Sequence, residues 1–165
     1  MESIILVGMP SCGKSTLGHM LAEELGYPFL DTDDVIKEQN GCELQDIIDH
    51  YGRDVFMERE VAAVLSVKDT RAVIATGGSV VYSPEAMAHL KALGRVVYLC
   101  ISYDMLTERI GDPRTRGVVF APGFGLLNIY NERTALYEKY ADVTLVETPE
   151  ETTEQSVKRL IQMLK

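Results

Sequence analysis

Short apolar runs alternate along this chain with longer stretches in which apolar positions recur at helical spacing. Ile4-Ile5-Leu6-Val7 is the first run, and it predicts a buried strand over Ser3–Val7. Leu17, Met20, Leu21 and Leu25 then recur every three or four residues, which predicts a helix with one buried stripe over Leu17–Leu25, stopped by Gly26. Pro28-Phe29-Leu30 predicts a short strand that delivers Asp31-Thr32-Asp33-Asp34 at its C-terminal end. From Val35 to Val67 the pattern is helical, with breaks near Gly41 and Gly52. Ala72–Thr76 reads as a third strand running into Gly77-Gly78-Ser79, and Ser83-Pro84 opens a helix that turns Met87 and Leu90 inward and stops at Gly94. Arg95–Ile101 is continuously apolar through Val96-Val97-Tyr98-Leu99, as a strand covered on both faces must be. A helix follows to about Ile110, then residues 111–125, rich in glycine and proline, read as a long loop of the lid or binding type. Leu126–Tyr140 is helical, Val143–Val146 is a fifth strand, and a final helix buries Val157, Leu160, Ile161 and Leu164 behind a capping box at Thr148-Pro149-Glu150-Glu151. Strand and helix alternate throughout, so the expected fold is α/β, with a parallel sheet of five strands between two layers of helices.

Candidate chemistry begins between the first strand and first helix. Gly8-Met9-Pro10-Ser11-Cys12-Gly13-Lys14-Ser15-Thr16 fits G-x-x-x-x-G-K-[ST] in full, in the right setting of buried strand, glycine turn and helix start. Gly8 and Gly13 let the backbone curl so that successive N–H groups face one hollow. A helix N-terminus adds unpaired donors and partial positive charge, which suits phosphate. Gly8, Ser11, Cys12, Gly13, Lys14, Ser15 and Thr16 are therefore the candidate nucleotide-binding residues, with Lys14 reaching the outer phosphates and the Ser15 hydroxyl available to Mg²⁺. Asp31 and Asp33 emerge at a strand C-terminus, where ligands collect in open α/β sheets. One suits Mg²⁺ through water, and the other, Asp33 or its neighbour Asp34, suits a substrate hydroxyl as base. Gly77 and Gly78 allow a ligand close to the backbone. Arg114 or Arg116 in the lid suits the transferring phosphoryl group, and Arg133 suits a substrate carboxylate in fork geometry.

Composition narrows the class. The chain has 165 residues, 46% of them hydrophobic and 25% charged, as expected of one soluble domain, 1–165, with a substrate-binding helical region at about 33–67 and the lid at about 111–125. No apolar run approaches the length of a membrane span and no leader is recognisable, so a cytoplasmic location is expected. The net charge of −9 argues against a nucleic-acid partner, since a basic face supplies most of that affinity. The expected partner is a small-molecule substrate, with neither nucleic acid nor membrane, and the protein is expected to act as a monomer. Cys12, Cys42 and Cys100 form neither a disulfide framework nor a zinc site.

The phosphate loop, Asp31-x-Asp33, Gly77-Gly78, the lid arginine and Arg133-x-x-Leu136-Tyr137 together resemble the shikimate kinases, over nearly the whole chain. The resemblance implies a P-loop fold of the nucleoside-monophosphate-kinase type with strand order 2-3-1-4-5, ATP and Mg²⁺ as cofactors, and transfer of phosphate to a hydroxyl of shikimate, giving shikimate 3-phosphate for aromatic amino acid biosynthesis. It also implies that Asp31 would hold Mg²⁺ indirectly and Asp33 would bind or deprotonate the acceptor hydroxyl. Gly78 would offer its backbone to the substrate, and Arg116 would act on the phosphates. Arg133 would bind the substrate carboxylate and Arg109 would lie against adenine. Departures cluster on the acceptor side. In the family pattern Gly-Glu-x-x-Phe-Arg-x-x-Glu, this chain carries Gly52-Arg53-Asp54-Val55-Phe56-Met57-Glu58-Arg59-Glu60, so Met57 stands where a second carboxylate-binding arginine is expected. Arg53 stands for the pattern's first glutamate, Lys37 for the glutamate after Ile36, Ser79 for a third glycine, and Arg116-Gly117-Val118-Val119 for Arg-Pro-Leu-Leu. Two other readings remain open at this level: a related kinase for a sugar acid or hydroxy amino acid, and a nucleotide-binding regulatory protein.

Overall fold

The computed structural model describes residues 2–68, 71–110 and 125–165. Five strands form one parallel sheet: β1 (Ser3–Val7), β2 (Phe29–Asp31), β3 (Val73–Ala75), β4 (Gly94–Cys100) and β5 (Val143–Val146). Their order is β2-β3-β1-β4-β5, the order expected from the resemblance. The helices are α1 (Lys14–Leu25), α2 (Thr32–Asn40), α3 (Leu44–Ser66), α4 (Pro84–Leu93), α5 (Tyr103–Ile110), α6 (Leu126–Tyr140) and α7 (Thr153–Leu164). Every residue of β1 is buried, because it lies between β3 and β4, with Ile4 opposite Val73 and Ile5 opposite Val96. The main core gathers β1 and β4 with Leu21, Met87, Leu90, Leu106, Tyr137 and Leu160. A second apolar cluster, Ile36, Ile47, Phe56 and Ala63, joins α2 to α3. Gly52, at φ 85° and ψ 175°, breaks the long α3 at the position where the sequence predicted an interruption. Residues 111–124, with the candidate lid residues Arg114 and Arg116, lie outside the described residues.

Two local readings change. The capping box of the last helix is Thr152 with Gln155, each side chain bonded to the other's backbone. Thr148-Pro149-Glu150-Glu151 instead forms a turn closed by Glu151 N–H to the Thr148 carbonyl; proline directly after a candidate cap fits either element, so the sequence offered two caps for one helix. Gly94 does end α4, but it is also the first residue of β4, and its φ of 176° is open to any residue. What requires glycine there is the Ser3 carbonyl of β1, against which a Cβ would collide. Gly94→Ala is therefore expected to cost about 3 kcal/mol, since overpacking against backbone is not relieved by a rotamer change. In a chain of this size that lowers Tm by roughly 6–12 °C, which thermal unfolding by circular dichroism will show.

The parallel arrangement brings the C-terminal ends of β1, β2 and β3 to one rim. β1 runs into the loop of residues 8–13, β2 ends on Asp31, and β3 leads into Thr76-Gly77-Gly78. That rim is where side chains from remote stretches of sequence meet.

Candidate active site

The loop before α1 is held in a backbone path that few side chains tolerate. Gly13 is left-handed at φ 92° and caps α1. A Cβ at Gly8, where φ is 155°, would lie 2.9 Å from the Leu99 carbonyl. Ser11 adopts φ 63° without being glycine, a conformation that costs of order 1 kcal/mol and persists where the surroundings enforce it. Its buried hydroxyl has no hydrogen-bond partner among the described residues. Lys14 folds over the loop and donates to the carbonyls of Gly8 (2.7 Å) and Met9 (2.9 Å), with Cys12 Sγ at 3.6 Å.

This loop forms one wall of a cavity of about 340 Å³. Ser11, Gly13, Lys14, Ser15 and Thr16 line one side, and Asp31, Asp33, Gly77, Gly78 and Arg133 face them. Asp31 is the N-cap of α2 and accepts from Asp33 N–H at 2.9 Å, which fixes the turn between them. Its other carboxylate oxygen accepts from the Ser15 hydroxyl at 3.1 Å, tying β2 to the first turn of α1. Burial, with Asp31 beside it, pushes the Asp33 carboxyl up to about 6. Arg133 is 1% exposed. Its guanidinium lies 5.5 Å from the centre of the Tyr82 ring, and its Nη1 occupies the space where a Cβ on Gly78 would be. One turn further along α6, the Tyr137 hydroxyl donates to the Gly78 carbonyl at 2.5 Å. The side chains of α6 thus clamp the Gly77-Gly78 segment from one flank.

A second cavity of about 170 Å³ adjoins the loop and is lined by Cys12, Gly13, Thr16, Leu99, Arg109 and Glu147, among others. Here Arg109 makes a two-pronged contact with Glu147, at 2.7 and 3.2 Å. That pairing holds the guanidinium plane along the cavity wall.

Sequence reasoning missed a charged residue of the cavity wall. Glu60, on α3, is 2% exposed and lines the main cavity beside Asp33 and Gly77. Its Oε1 accepts from the Ser79 hydroxyl at 2.5 Å, while its Oε2 lies against Gly77, where a Cβ would collide with it. The signal was present: Glu60 stands four residues after Phe56 and three before Ala63, all buried on one helical face. A carboxyl group on such a face is more often functional than decorative. Neither arginine near Met57 fills the place of the missing one. Arg59 donates to Asn40 at 2.8 Å and stacks on Tyr51, and Arg53 pairs with Asp54 at 3.8 Å. Met57 itself packs on the apolar cluster of α2 and α3, and Lys37 pairs with Glu43 at 3.2 Å.

A five-stranded parallel sheet of this order, with a phosphate-binding loop facing carboxylates and a guanidinium across one cavity, defines a P-loop kinase acting on a small molecule. The family model for shikimate kinase matches residues 10–165. A shikimate kinase from Enterococcus faecalis is 31% identical over 100% of this chain and 99% of its own length. One from Actinobacillus succinogenes is 39% identical over 95% of this chain and 89% of its own. The solved shikimate kinase from Acinetobacter baumannii, in complex with shikimate, superposes with a TM-score of 0.89 at 29% identity, covering 99% of this chain and 93% of that one. The chain belongs to the shikimate kinase family.

Proposed function

We propose that this protein transfers the γ-phosphoryl group of ATP to a hydroxyl of shikimate, giving shikimate 3-phosphate and ADP. The observation that carries this reading is the meeting, in one cavity, of a phosphate loop with the half-buried carboxyl of Asp33 and a buried guanidinium at Arg133 on the opposite wall. Phosphoryl transfer asks a protein mainly for alignment and charge neutralisation, and each side of the cavity supplies one part. The loop N–H groups, the Ser11 hydroxyl and Lys14 bind the triphosphate. The loop carbonyls hold the Lys14 ammonium at the cavity wall until phosphate competes for it. Arg133 binds the acceptor carboxylate, Gly77 and Gly78 offer their backbone at close range, and Asp33 accepts the proton of the attacking hydroxyl. Arg109, braced by Glu147, lies against the adenine in the adjoining cavity. Arg116, outside the described residues, is the arginine assigned to the phosphates.

The donor set also fits Mg²⁺, because a hydroxyl and a carboxylate oxygen already meet 3.1 Å apart at the loop and hard oxygen ligands are what that cation takes. Ser15 would ligate it directly and Asp31 through water; when bound it neutralises the charge of the outer phosphates. Among the described residues no helix is long and apolar enough to cross a membrane.

A coupled assay for ADP release over a panel of shikimate, sugar acids and hydroxy amino acids tests the assignment. Turnover with shikimate is expected to exceed every other acceptor by at least a hundredfold. Robust turnover of another panel member with none for shikimate would refute it.

A further inference from the structure

Glu60 and Arg133 lie against two consecutive glycines. Glu60 Oε2 is packed on Gly77 and Arg133 Nη1 on Gly78, so an anionic head group seated over this backbone meets both side chains at once. Arg133 suits an anion; an ionised Glu60 does not, and like charges pressed together out of water repel strongly. Ser79 occupies Oε1 with its hydroxyl, which leaves Oε2 as the oxygen available to the cavity. We propose that Glu60, held by Ser79, is an acceptor-binding residue that acts as a neutral carboxyl group, donating Oε2–H to the carboxylate of the acceptor. Binding of a carboxylated acceptor then carries a proton into the cavity. In effect, the acceptor's negative charge is met by one guanidinium and one carboxylic acid.

The surroundings of Glu60 agree with this assignment. Burial, reinforced by Asp33 across Gly77, raises its carboxyl to about 7. The Ser79 hydroxyl and the cationic Arg133 from α6 and Lys14 from the loop act in the opposite direction, which keeps the group within reach of neutral pH rather than permanently protonated. Tyr137, also facing it from α6, is pushed further up by burial and takes no part in this range. An incoming carboxylate tips the balance toward the protonated form. The sign follows: the complex holds the proton, so affinity is full below about pH 7 and falls as pH rises, by up to tenfold per unit. Ser79 is a positioning residue, because it fixes which oxygen carries the proton and where the titration lies.

This inference rests on shikimate as the acceptor, and calorimetry of the full chain with shikimate separates the two. Between pH 7 and 8.5 the Kd is expected to rise roughly 15-fold, and titrations at about pH 7.5 in buffers of different ionisation enthalpy should report an uptake of roughly 0.7 proton per shikimate. Glu60→Gln, which mimics the neutral carboxyl group, is expected to flatten the profile and abolish the uptake. Ser79→Gly, which removes the donor, is expected to move the midpoint to higher pH. A wild-type Kd constant within twofold over that range, with no buffer dependence, overturns the inference while leaving shikimate as substrate. An unchanged slope in Glu60→Gln also overturns it, because another group then carries the proton. Absence of shikimate binding at every pH defeats both the inference and the substrate assignment.

Discussion

Lys14→Ala is expected to lower kcat roughly 150- to 1000-fold while leaving the fold intact. Charge that develops on the transferring phosphoryl group is stabilised by preorganised cations and donors, and removing one such donor typically costs roughly 3–4 kcal/mol of barrier. The structural side of the prediction rests on what holds the loop without Lys14. Cys12 N–H bonds to the Met9 carbonyl at 3.2 Å, and Leu17 N–H bonds to the Gly13 carbonyl at 2.9 Å. Gly8 is seated against Leu99 and Gly13 keeps its left-handed turn. The contacts from Nζ to the Gly8 and Met9 carbonyls and to Cys12 Sγ disappear, at a net cost of about 1 kcal/mol, or roughly 2–4 °C in Tm. Steady-state kinetics together with a melting curve check both halves. A variant retaining a tenth or more of the wild-type rate would show that the loop is not the phosphate site.

The parts of the site read most directly from sequence are those whose geometry is local. The phosphate loop is a continuous stretch with glycines at fixed offsets, and its shape follows from backbone conformations that the sequence dictates. Asp31 and Asp33 are legible for the same reason, because a short strand and a helix start set their direction within four residues. Glu60 and Ser79 are less so: their hydrogen bond joins α3 to the turn that follows β3, 19 residues apart, and only the packing of those elements makes it. Met57 shows the same limit from the other side. Sequence places two arginines nearby, yet a helix turns through about 100° per residue, so Arg59 leaves the cavity for Asn40 and Tyr51. Gly94 was read as a helix stop because glycine commonly is one. Its tighter constraint comes from the Ser3 carbonyl of β1, far earlier in the chain, which no local pattern records.

Arg133→Met is expected to raise the KM for shikimate roughly 30- to 1000-fold, with the KM for ATP unchanged. The guanidinium is 1% exposed, stacked on Tyr82 and packed on Gly78, so a carboxylate that reaches it meets a charge already stripped of water. Removing one partner from such a buried charge pair costs about 2–4 kcal/mol of binding, which is the stated range once converted. No second arginine among the described residues of the cavity shares the load, and Glu60 contributes a hydrogen bond but no positive charge. Arg133 also holds the Glu60 carboxyl down, so Arg133→Met lets Glu60 keep its proton to higher pH, and the loss should sit nearer the lower end at pH 8 and nearer the upper end at pH 6. Arg133→Lys keeps the charge and loses the planar fork, and should fall between wild type and Arg133→Met, at roughly tenfold. The KM for ATP is expected to hold because Lys14, Ser15 and Arg109, the residues proposed for the nucleotide, line the loop side of the site and the adjoining cavity. A shikimate KM within threefold of wild type in Arg133→Met would place the carboxylate elsewhere, whereas a matching rise in the KM for ATP would mark Arg133 as a prop for the whole cavity rather than a ligand of the acceptor.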